Sequence, residues 1–285
     1  MLDVAVVGLG WWGQQVLGEL AGSERIRPVL AVDPDAAGRE RARARGLAVT
    51  ADLGEALADP AVDAVVLCSP HRFHSAQVVA AAEAGKHVFC EKPFTTTTAE
   101  ADVALAAVEA AGVRLGIGHE RRFEPPVMDL QERCLSGSLG TPLVFEGNFS
   151  QDKFLSLPPD NWRLSPTEAP VGPLSATGIH LVDLAVSILG EPTSVWARLS
   201  TRATSFGNGD TLSITLAFAE GATATITAIL TTPFIGRICL LGSEGWMEIR
   251  DRNHPEDPAD WDVTTEKSNN GREERFVSPP PEVRK

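Results

Sequence analysis

The first 33 residues place the strongest constraint on the fold of this chain. An apolar run from Leu2 to Val7 leads directly into the segment Gly8-Leu9-Gly10-Trp11-Trp12-Gly13. A helical stretch follows, and a second apolar run ends at Asp33. Strand, glycine turn, helix and strand in this order predict the start of a doubly wound α/β fold with a parallel sheet.

The three glycines of this segment have separate expected roles. Gly8 permits a tight turn, Gly10 lets a pyrophosphate approach the backbone, and Gly13 lets the helix pack closely on the strand. The helix N-terminus offers N–H groups and the positive end of its dipole to the phosphates. A purely structural turn is the alternative, but the full order of elements favours a dinucleotide site. The predicted site comprises Gly8, Leu9, Gly10, Trp11, Trp12, Gly13 and Asp33.

Asp33 indicates which dinucleotide is bound. It stands about 20 residues beyond the last glycine, the usual position of the carboxylate that hydrogen-bonds a ribose 2′-hydroxyl. A carboxylate there repels a 2′-phosphate, and Asp35 adds to that repulsion. Arg39, one turn into the next helix, is the residue that would instead accommodate a phosphate. We therefore predict NAD rather than NADP as the cofactor.

The composition argues against several other classes of protein. The net charge of −13 argues against nucleic-acid binding, which depends on Lys and Arg neutralising phosphates. The four cysteines form no C-x-x-C pair, so neither a zinc site nor a redox motif is predicted. There is no tyrosine, which excludes the Tyr-x-x-x-Lys arrangement of short-chain dehydrogenases. No apolar run approaches transmembrane length and no signal peptide precedes the first strand, so we expect a cytoplasmic protein without membrane attachment.

Strands and helices alternate up to about residue 118, which predicts a nucleotide-binding domain over residues 1–120. Ligands of such sheets bind beyond the carboxyl ends of the strands. The residues that follow the predicted strands would therefore line one edge of the sheet. These residues are Gly8, Asp33, Ser69, Glu91 and Lys92.

The second half of the chain predicts an α/β domain for substrate binding and oligomerisation over residues 121–285. Residues 150–173 are rich in proline and polar residues and predict a long loop, whereas 174–189 predict an apolar helix. Period-two alternation between 211 and 230 indicates an open, mostly antiparallel sheet. The stretch 251–285 is acidic, then proline-rich, and lacks periodicity, so we expect an irregular tail.

Two segments carry candidate catalytic groups. Lys92 ends a short strand, Pro93 stiffens the following turn, and the bond between them is a candidate for the cis form. A partly desolvated lysine beside an oxidised nicotinamide can help to carry the proton of a substrate hydroxyl. His180 and Asp183 lie on one helix face, where His180 would act as acid–base and Asp183 would orient it or cap a neighbouring element. A surface lysine and a packing histidine are the alternatives that these residues leave open.

Five segments together resemble the glucose–fructose oxidoreductase, inositol dehydrogenase and rhizopine-catabolism family (Gfo/Idh/MocA). The resemblance runs from Val4 to about Ile249, and its most specific part is Gly85-Lys86-His87-Val88-Phe89-Cys90-Glu91-Lys92-Pro93. The other four are the glycine turn, Ser69-Pro70 with His74, Arg121-Arg122-Phe123, and Gly178-Ile179-His180-Leu181-Val182-Asp183.

The resemblance implies NAD(P)-dependent oxidation or reduction of a sugar, cyclitol or similar polyol. It also implies a C-terminal sheet that commonly mediates homo-oligomers. Lys92 and His180 match the catalytic lysine and histidine of the family, and Glu91 matches the acid near the nicotinamide ribose. Ser69 and His74 join the expected cofactor site. The candidate substrate contacts are Arg121, Trp162, Arg163 and Asp183.

Two features depart from the family pattern. Many members carry an aspartate four residues before the histidine, where this chain has Ala176. Either Lys92 and His180 suffice, or Glu168 or Asp160 substitutes, or the dehydrogenase activity is weak. Many members also end with a helix packed against the nucleotide domain, which we expect this chain to lack, either as a naturally short member or as a truncated one.

The leading hypothesis is an NAD-dependent oxidoreductase of a sugar-like alcohol. One alternative is a glycosidase or eliminase that recycles its bound NAD. The other is a catalytically weak, nucleotide-binding regulatory protein, an interpretation motivated by Ala176.

Overall fold

The computed structural model describes residues 1–254, 260–268 and 270–279. The chain forms two compact units, Met1–Gly118 and His119–Lys285. No helix in the described part of the chain combines the length and apolarity needed to cross a membrane.

The first unit contains a six-stranded parallel sheet flanked by five helices. The strand order is β3-β2-β1-β4-β5-β6, so the order reverses between β1 and β4. The strands are β1 (Leu2–Val7), β2 (Ile26–Val32), β3 (Ala48–Thr50), β4 (Ala64–Leu67), β5 (His87–Cys90) and β6 (Leu115–Ile117). The helices are α1 (Trp11–Leu20), α2 (Ala36–Arg43), α3 (Leu53–Ala58), α4 (His74–Glu83) and α5 (Thr98–Ala111).

The two central strands explain why this part of the fold can be predicted from the sequence. β4 is buried along its whole length, and so are the last four residues of β1. A parallel strand covered on both faces is a continuous apolar run, as these two are. The reversal of strand order between them creates a crevice beyond their carboxyl ends, which is where open α/β sheets bind ligands. The predicted fold class is confirmed for this unit.

The second unit contains an eight-stranded sheet in the order β14-β13-β12-β11-β7-β10-β9-β8. Every neighbouring pair is antiparallel except β7 and β10, which run parallel. The strands are β7 (Pro142–Ser150), β8 (Pro192–Ser200), β9 (Thr211–Phe218), β10 (Thr223–Ile229), β11 (Ile235–Gly242), β12 (Gly245–Asp251), β13 (Trp261–Lys267) and β14 (Gly271–Val277). The mostly antiparallel sheet was expected and is confirmed.

Two helices, α6 (Pro125–Leu135) and α7 (Ile179–Leu189), pack with this sheet in one core. Alternate residues of β9 and β10 enter that core, which accounts for the period-two pattern of their sequences. The apolar helix predicted over 174–189 is divided in two. Its first turn, Leu174–Gly178, is π-helical and leads into α7.

The irregular tail expected over 251–285 is wrong for most of its described residues. β13 and β14 form an antiparallel hairpin, and β13 pairs with β12. Trp261, Val263 and Thr265 are buried on one side of β13, but charged residues around them hide this alternation in the sequence. β8 was also missed, because nearly all of its residues are exposed and it therefore shows no apolar periodicity. Residues 255–259, 269 and 280–285 lie outside the described part of the tail.

A buried ionic network joins the turn before α6 to the end of β12. The Arg121 side chain is 1% exposed, and its Nη2 donates to both carboxylate oxygens of Asp251 at 2.8 and 2.7 Å. Its Nε lies 3.2 Å from Glu124 Oε1, and its guanidinium carbon stands 5.0 Å from the centre of the Phe149 ring. The structure thus assigns Arg121 to the interior, against the prediction that it contacts substrate. Removal of this cation would leave two buried carboxylates uncompensated.

Two carboxylates share the single guanidinium of Arg121, and this affects the titration of Glu124. Burial raises the pKa of Glu124 to about 7, and the negative charge of Asp251 adds to the rise, although Arg121 opposes it. Asp251 accepts two short hydrogen bonds from Arg121, whereas the contact between Glu124 and Arg121 is longer. Arg121 therefore stabilises the charge of Glu124 less than that of Asp251. The fold therefore favours the protonated form of Glu124 over the ionised form.

We predict that Glu124→Gln stabilises the protein at alkaline pH. The folded pKa is raised above its ordinary value of 4.5, so the associated stability is complete below 4.5 and is lost as the pH rises through about 7. The shift corresponds to a loss on the order of 3 kcal/mol, which glutamine avoids because it cannot ionise. Urea unfolding at about pH 5 and about pH 8.5 measures the difference.

Glu132→Gln, on the exposed side of α6, is the matched control and should show no such pH dependence. A Glu124→Gln protein that is less stable than the wild type at the higher pH would contradict the assignment.

Candidate functional site

The glycine turn after β1 is shaped by backbone contacts at two of its three glycines. Gly8 has a φ of +88°, and a Cβ there would lie 2.7 Å from the backbone of Cys68 and Ser69. A Cβ on Gly13 would lie 1.9 Å from the carbonyl oxygen of Gly8. These two glycines let β1, α1 and the end of β4 approach one another.

Gly10 differs because the protein's own packing does not require it to be glycine. Apart from Gly10 itself and its immediate chain neighbours, no atom of the described residues lies within 4 Å of the position that its Cβ would occupy. Gly10 is the N-cap of α1 and provides no side-chain cap to the first turn of that helix. An open surface beside an uncapped helix N-terminus fits the pyrophosphate of a dinucleotide.

The remaining predicted residues of this turn are placed as follows. The Leu9 side chain is fully buried and its N–H donates to Asp33 Oδ2 at 2.5 Å, so Leu9 supports the turn from inside. Trp11 is exposed, and its ring centre is 5.7 Å from that of Trp12. The buried indole N–H of Trp12 has no hydrogen-bond partner among the described residues.

Asp33 stands at the end of β2, where a ribose-binding carboxylate is expected. Its second oxygen accepts a hydrogen bond from the Asp35 N–H at 2.8 Å. Arg39 donates to the carbonyl oxygens of Asp33 and Pro34 at 2.6 and 2.8 Å. The Arg39 guanidinium is the group that would otherwise bind a 2′-phosphate, and it is hydrogen-bonded to the main chain through Nη1. The local arrangement therefore agrees with NAD rather than NADP.

His74 braces the turns that follow β4 and β5. The ring is fully buried, with Nδ1 2.8 Å from the Pro93 carbonyl oxygen and Nε2 2.9 Å from the Ser69 carbonyl oxygen. Burial lowers the pKa of His74, while the contacts with these carbonyl oxygens oppose that change. Because both nitrogens contact the protein, His74 cannot be a direct cofactor ligand as predicted. The Ser69 hydroxyl donates to Gln77 Oε1 at 2.5 Å.

Glu91 and Lys92 follow β5, as predicted from the sequence. Glu91 is 8% exposed, and a Cβ on Gly118 would lie 2.8 Å from its Oε1, so the glycine makes room for this carboxylate. The Lys92 N–H donates to Glu91 Oε2 at 3.2 Å. Lys92 itself is half-buried, and the Lys92–Pro93 peptide bond is cis, as the sequence analysis anticipated.

In the second unit, a polar cluster surrounds His180. The short 3₁₀ helix Glu120–Phe123 lies beside α7, and Arg122 donates to both carboxylate oxygens of Asp183 at 2.6 and 2.5 Å. His180 Nε2 lies 3.8 Å from Glu120 Oε1. The His119 ring stands edge-on to the His180 ring at 5.8 Å, and His119 Nδ1 is 3.8 Å from Asp183 Oδ2.

This cluster changes the interpretation of two carboxylates. Asp183 was predicted to contact substrate, but both of its oxygens accept from Arg122 and its side chain is 13% exposed. This ion pair holds the 3₁₀ helix against α7, and a substrate contact by Asp183 stays a prediction. Glu120 was not predicted, although it directly precedes the Arg121-Arg122-Phe123 segment. It adds a third candidate to Glu168 and Asp160 for the carboxylate missing at Ala176.

An aromatic cluster extends from His180 along the sheet. Phe149 lies 6.1 Å from the His180 ring, and His254 lies 5.7 Å from Phe149 and 5.3 Å from Phe234. His254 Nε2 is 2.7 Å from Oε1 of the buried Gln151. His254 and Gln151 were not predicted as partners, since 103 residues separate them and no local pattern joins them.

The predicted loop over 150–173 contains short 3₁₀ turns, one of which is Trp162–Leu164. The guanidinium carbon of Arg163 stands 4.4 Å from the centre of the Trp162 ring. The Asn208 amide donates to the carbonyl oxygens of Arg163 and Ala169 at 2.7 and 2.8 Å. Trp162 and Arg163 are both half-buried, so a substrate contact by either of them remains a prediction.

Both parts of the chain match models of one protein family. Residues 2–119 match the model described as oxidoreductase family, NAD-binding Rossmann fold, and residues 127–248 match the GFO/IDH/MocA C-terminal domain. The scyllo-inositol 2-dehydrogenase (NAD(+)) of Bacillus subtilis (strain 168) is 31% identical over 260 residues, covering 88% of this chain and 74% of that enzyme. The uncharacterized oxidoreductase YrbE of the same organism is 36% identical over 183 residues, 62% of this chain. The chain spans about half of YrbE, at 52% of its length.

Solved structures show the same similarity. Levoglucosan dehydrogenase in complex with NADH superposes with a TM-score of 0.86 at 25% identity, covering 98% of this chain and 80% of that one. Aldose-aldose oxidoreductase from Caulobacter crescentus, complexed with glycerol, gives a TM-score of 0.86 at 26% identity, covering 98% and 84%.

We predict that Gly10→Ala folds normally and loses affinity for NADH by about tenfold or more, because the new methyl group occupies the space of the pyrophosphate. Fluorescence titration with NADH and thermal unfolding measure the two properties. Gly18→Ala, on the exposed side of α1, is the matched control. It should keep wild-type affinity and gain about 0.5–1 kcal/mol of stability. Wild-type NADH affinity in Gly10→Ala would contradict a cofactor site at this turn.

Proposed function

Because the chain belongs to the GFO/IDH/MocA oxidoreductase family, we propose that it is an NAD-dependent oxidoreductase of a sugar, cyclitol or related polyol. The observation that carries this proposal is the open surface at Gly10, in the turn whose Leu9 N–H donates to the Asp33 carboxylate. Close backbone contacts require glycine at positions 8 and 13. At position 10 no such contact exists among the described residues, and we attribute the glycine there to the bound cofactor.

The first unit would hold the cofactor through its own backbone and two carboxylates. The first turn of α1 would bind the pyrophosphate, Asp33 would accept hydrogen bonds from the adenosine ribose, and Glu91 would lie near the nicotinamide ribose. Bound NAD would supply the electron-pair acceptor or donor for the substrate carbon. His74 would keep the turns after β4 and β5 in place, since it contacts both main chains.

Lys92 and His180 would handle the proton of the substrate hydroxyl. The ammonium group of Lys92 would hydrogen-bond the substrate oxygen and stabilise negative charge as the proton leaves. The main chain at Lys92 is positioned by its hydrogen bond to the buried Glu91. The His180 side chain is 4% exposed. Its imidazole would therefore exchange protons with neighbouring groups rather than directly with bulk water.

The proposed substrate class follows from the names of the relatives and the character of the second unit. Those names include an inositol dehydrogenase, a levoglucosan dehydrogenase and an aldose oxidoreductase. Sugars and cyclitols present several hydroxyl groups, and the cluster around His180 offers carboxylate, imidazole and amide groups to bind them. Trp162 and Arg163 are retained as substrate contacts in this proposal.

We also propose that the second unit forms a homo-oligomer through its sheet. The terminal strand β8 exposes Val195 by 66% and Trp196 by 59%. A strand at the edge of a sheet leaves backbone groups unpaired, and exposed apolar side chains on it favour contact with another copy.

We predict that Lys92→Met reduces kcat by about 10²–10⁴-fold, because methionine can neither donate to the substrate oxygen nor carry its proton. NADH affinity should remain close to that of the wild type. The reaction is followed by the absorbance of reduced nicotinamide over a panel of inositols, aldoses and anhydrosugars. Lys267→Met, on β13, is the control and should leave turnover unchanged. Retained turnover in Lys92→Met would exclude this lysine from the mechanism. Product formation by the wild type without accumulation of NADH would indicate a recycled cofactor.

A further inference from the structure

The burial of His180 restricts how it can exchange protons with water. Its side chain is 4% exposed, and the rings of His119 and Phe149 stand 5.8 and 6.1 Å away. An acid–base residue must return to its starting protonation state in every catalytic cycle. A buried imidazole therefore needs a neighbouring group that receives its proton and is itself in contact with solvent.

Glu120 has both properties. Its Oε1 lies 3.8 Å from His180 Nε2, and its side chain is 51% exposed. This separation is longer than a direct hydrogen bond, and rotation of the exposed carboxylate or one bridging water closes it. We propose that Glu120 relays the proton between His180 and solvent during oxidation of the substrate. This inference rests on the function proposed above.

The surrounding contacts hold the relay in place. Arg122, two residues after Glu120, binds both oxygens of Asp183 at 2.6 and 2.5 Å. Asp183 belongs to α7, the helix that carries His180, so this ion pair fixes the 3₁₀ helix beside the imidazole. Both oxygens of Asp183 accept from Arg122, whereas the Glu120 side chain is 51% exposed and is therefore in contact with solvent.

The proton transfers balance without a further reactant. The substrate O–H bond breaks as an N–H bond forms at Nε2 of the neutral imidazole, which already carries a proton on Nδ1, and the hydrogen of the adjacent C–H bond leaves with its electron pair as hydride to the oxidised cofactor. The resulting imidazolium has N–H on both ring nitrogens. Its Nε2–H bond then breaks as an O–H bond forms on Glu120. Water takes the proton from Glu120 and restores the carboxylate, and reduction of a carbonyl substrate follows the reverse order.

The test compares Glu120→Gln and Glu120→Ala with Glu132→Gln, an exposed substitution on α6. Oxidation is measured with the fastest member of a panel of myo-inositol, scyllo-inositol, D-glucose and levoglucosan. We expect kcat to fall by about tenfold or more in both Glu120 variants, with NADH affinity unchanged. Added formate should restore the rate of Glu120→Ala in proportion to its concentration, because it supplies the missing carboxylate. A structural role for Glu120 would not produce this rescue.

Imidazole NMR provides a readout that does not depend on turnover. Glu120 and His119 are titratable groups beside His180 in the described part of the chain, and Asp183 and Arg122 pair with each other next to them. Loss of the Glu120 charge should lower the midpoint of the His180 titration by about half a pH unit or more. Glu132→Gln should leave that midpoint unchanged.

The outcomes separate the two proposals. A wild type that oxidises a polyol, with Glu120 variants equal to Glu132→Gln in rate and titration, would overturn the relay and leave the proposed function standing. A Glu120→Ala protein that is slow but insensitive to formate would also overturn the relay. If the wild type binds NADH but oxidises no member of the panel, the proposed function is overturned. The relay is then overturned too, because it is proposed for that reaction.

Discussion

The contact between the glycine turn and the neighbouring backbone determines the ligand-binding edge of the first unit. At Gly8 and Gly13 an added Cβ would meet main-chain atoms at 2.7 and 1.9 Å, and main-chain atoms cannot turn aside as the end of a side chain can. These two positions therefore set the approach of α1 to β1 and β4. Gly10 remains at the open side of the same turn, where the helix N-terminus is uncapped. Packing explains the outer glycines of the motif but not the middle one, which is the position that we propose for the pyrophosphate of the cofactor.

Burial determined which parts of the fold could be predicted. β4 is covered on both faces and β9 on one, so their sequences show a continuous apolar run and a period-two pattern. β8 lies at a sheet edge with almost every residue exposed, and no apolar period distinguishes it from a loop. β13 has three buried alternate residues, but charged neighbours made this stretch resemble a polar tail. An edge strand is specified mainly by the strand beside it, and this information is absent from its own residues.

The site residues, like the strands, could be predicted only where a local sequence pattern was sufficient. Lys92 and His180 could be proposed as catalytic residues from the sequence because each lies within a short segment whose pattern indicates a strand end or a helix face. We predicted that His74 contacts the cofactor and Arg121 the substrate, because imidazole and guanidinium groups commonly bind ligands. The same groups also form hydrogen bonds and ion pairs that hold the interior of a fold together. The partner of Arg121 in the fold, Asp251, is 130 residues away. Whether a polar side chain faces a ligand or the interior depends on such distant pairings, which residue type and local spacing do not encode.

The acidic residues around the 3₁₀ helix show how environment divides one type of group among different tasks. Glu124 is buried beside a second carboxylate, and burial raises its pKa to about 7. Asp183 gives both oxygens to Arg122 and serves as a fixed anchor between two elements. Glu120 is half in solvent and near His180, so it can lose and regain a proton without disturbing the core. An anchor must stay charged and a relay must change charge, so Asp183, which is 13% exposed and paired with Arg122, suits the first task and Glu120, which is 51% exposed, suits the second.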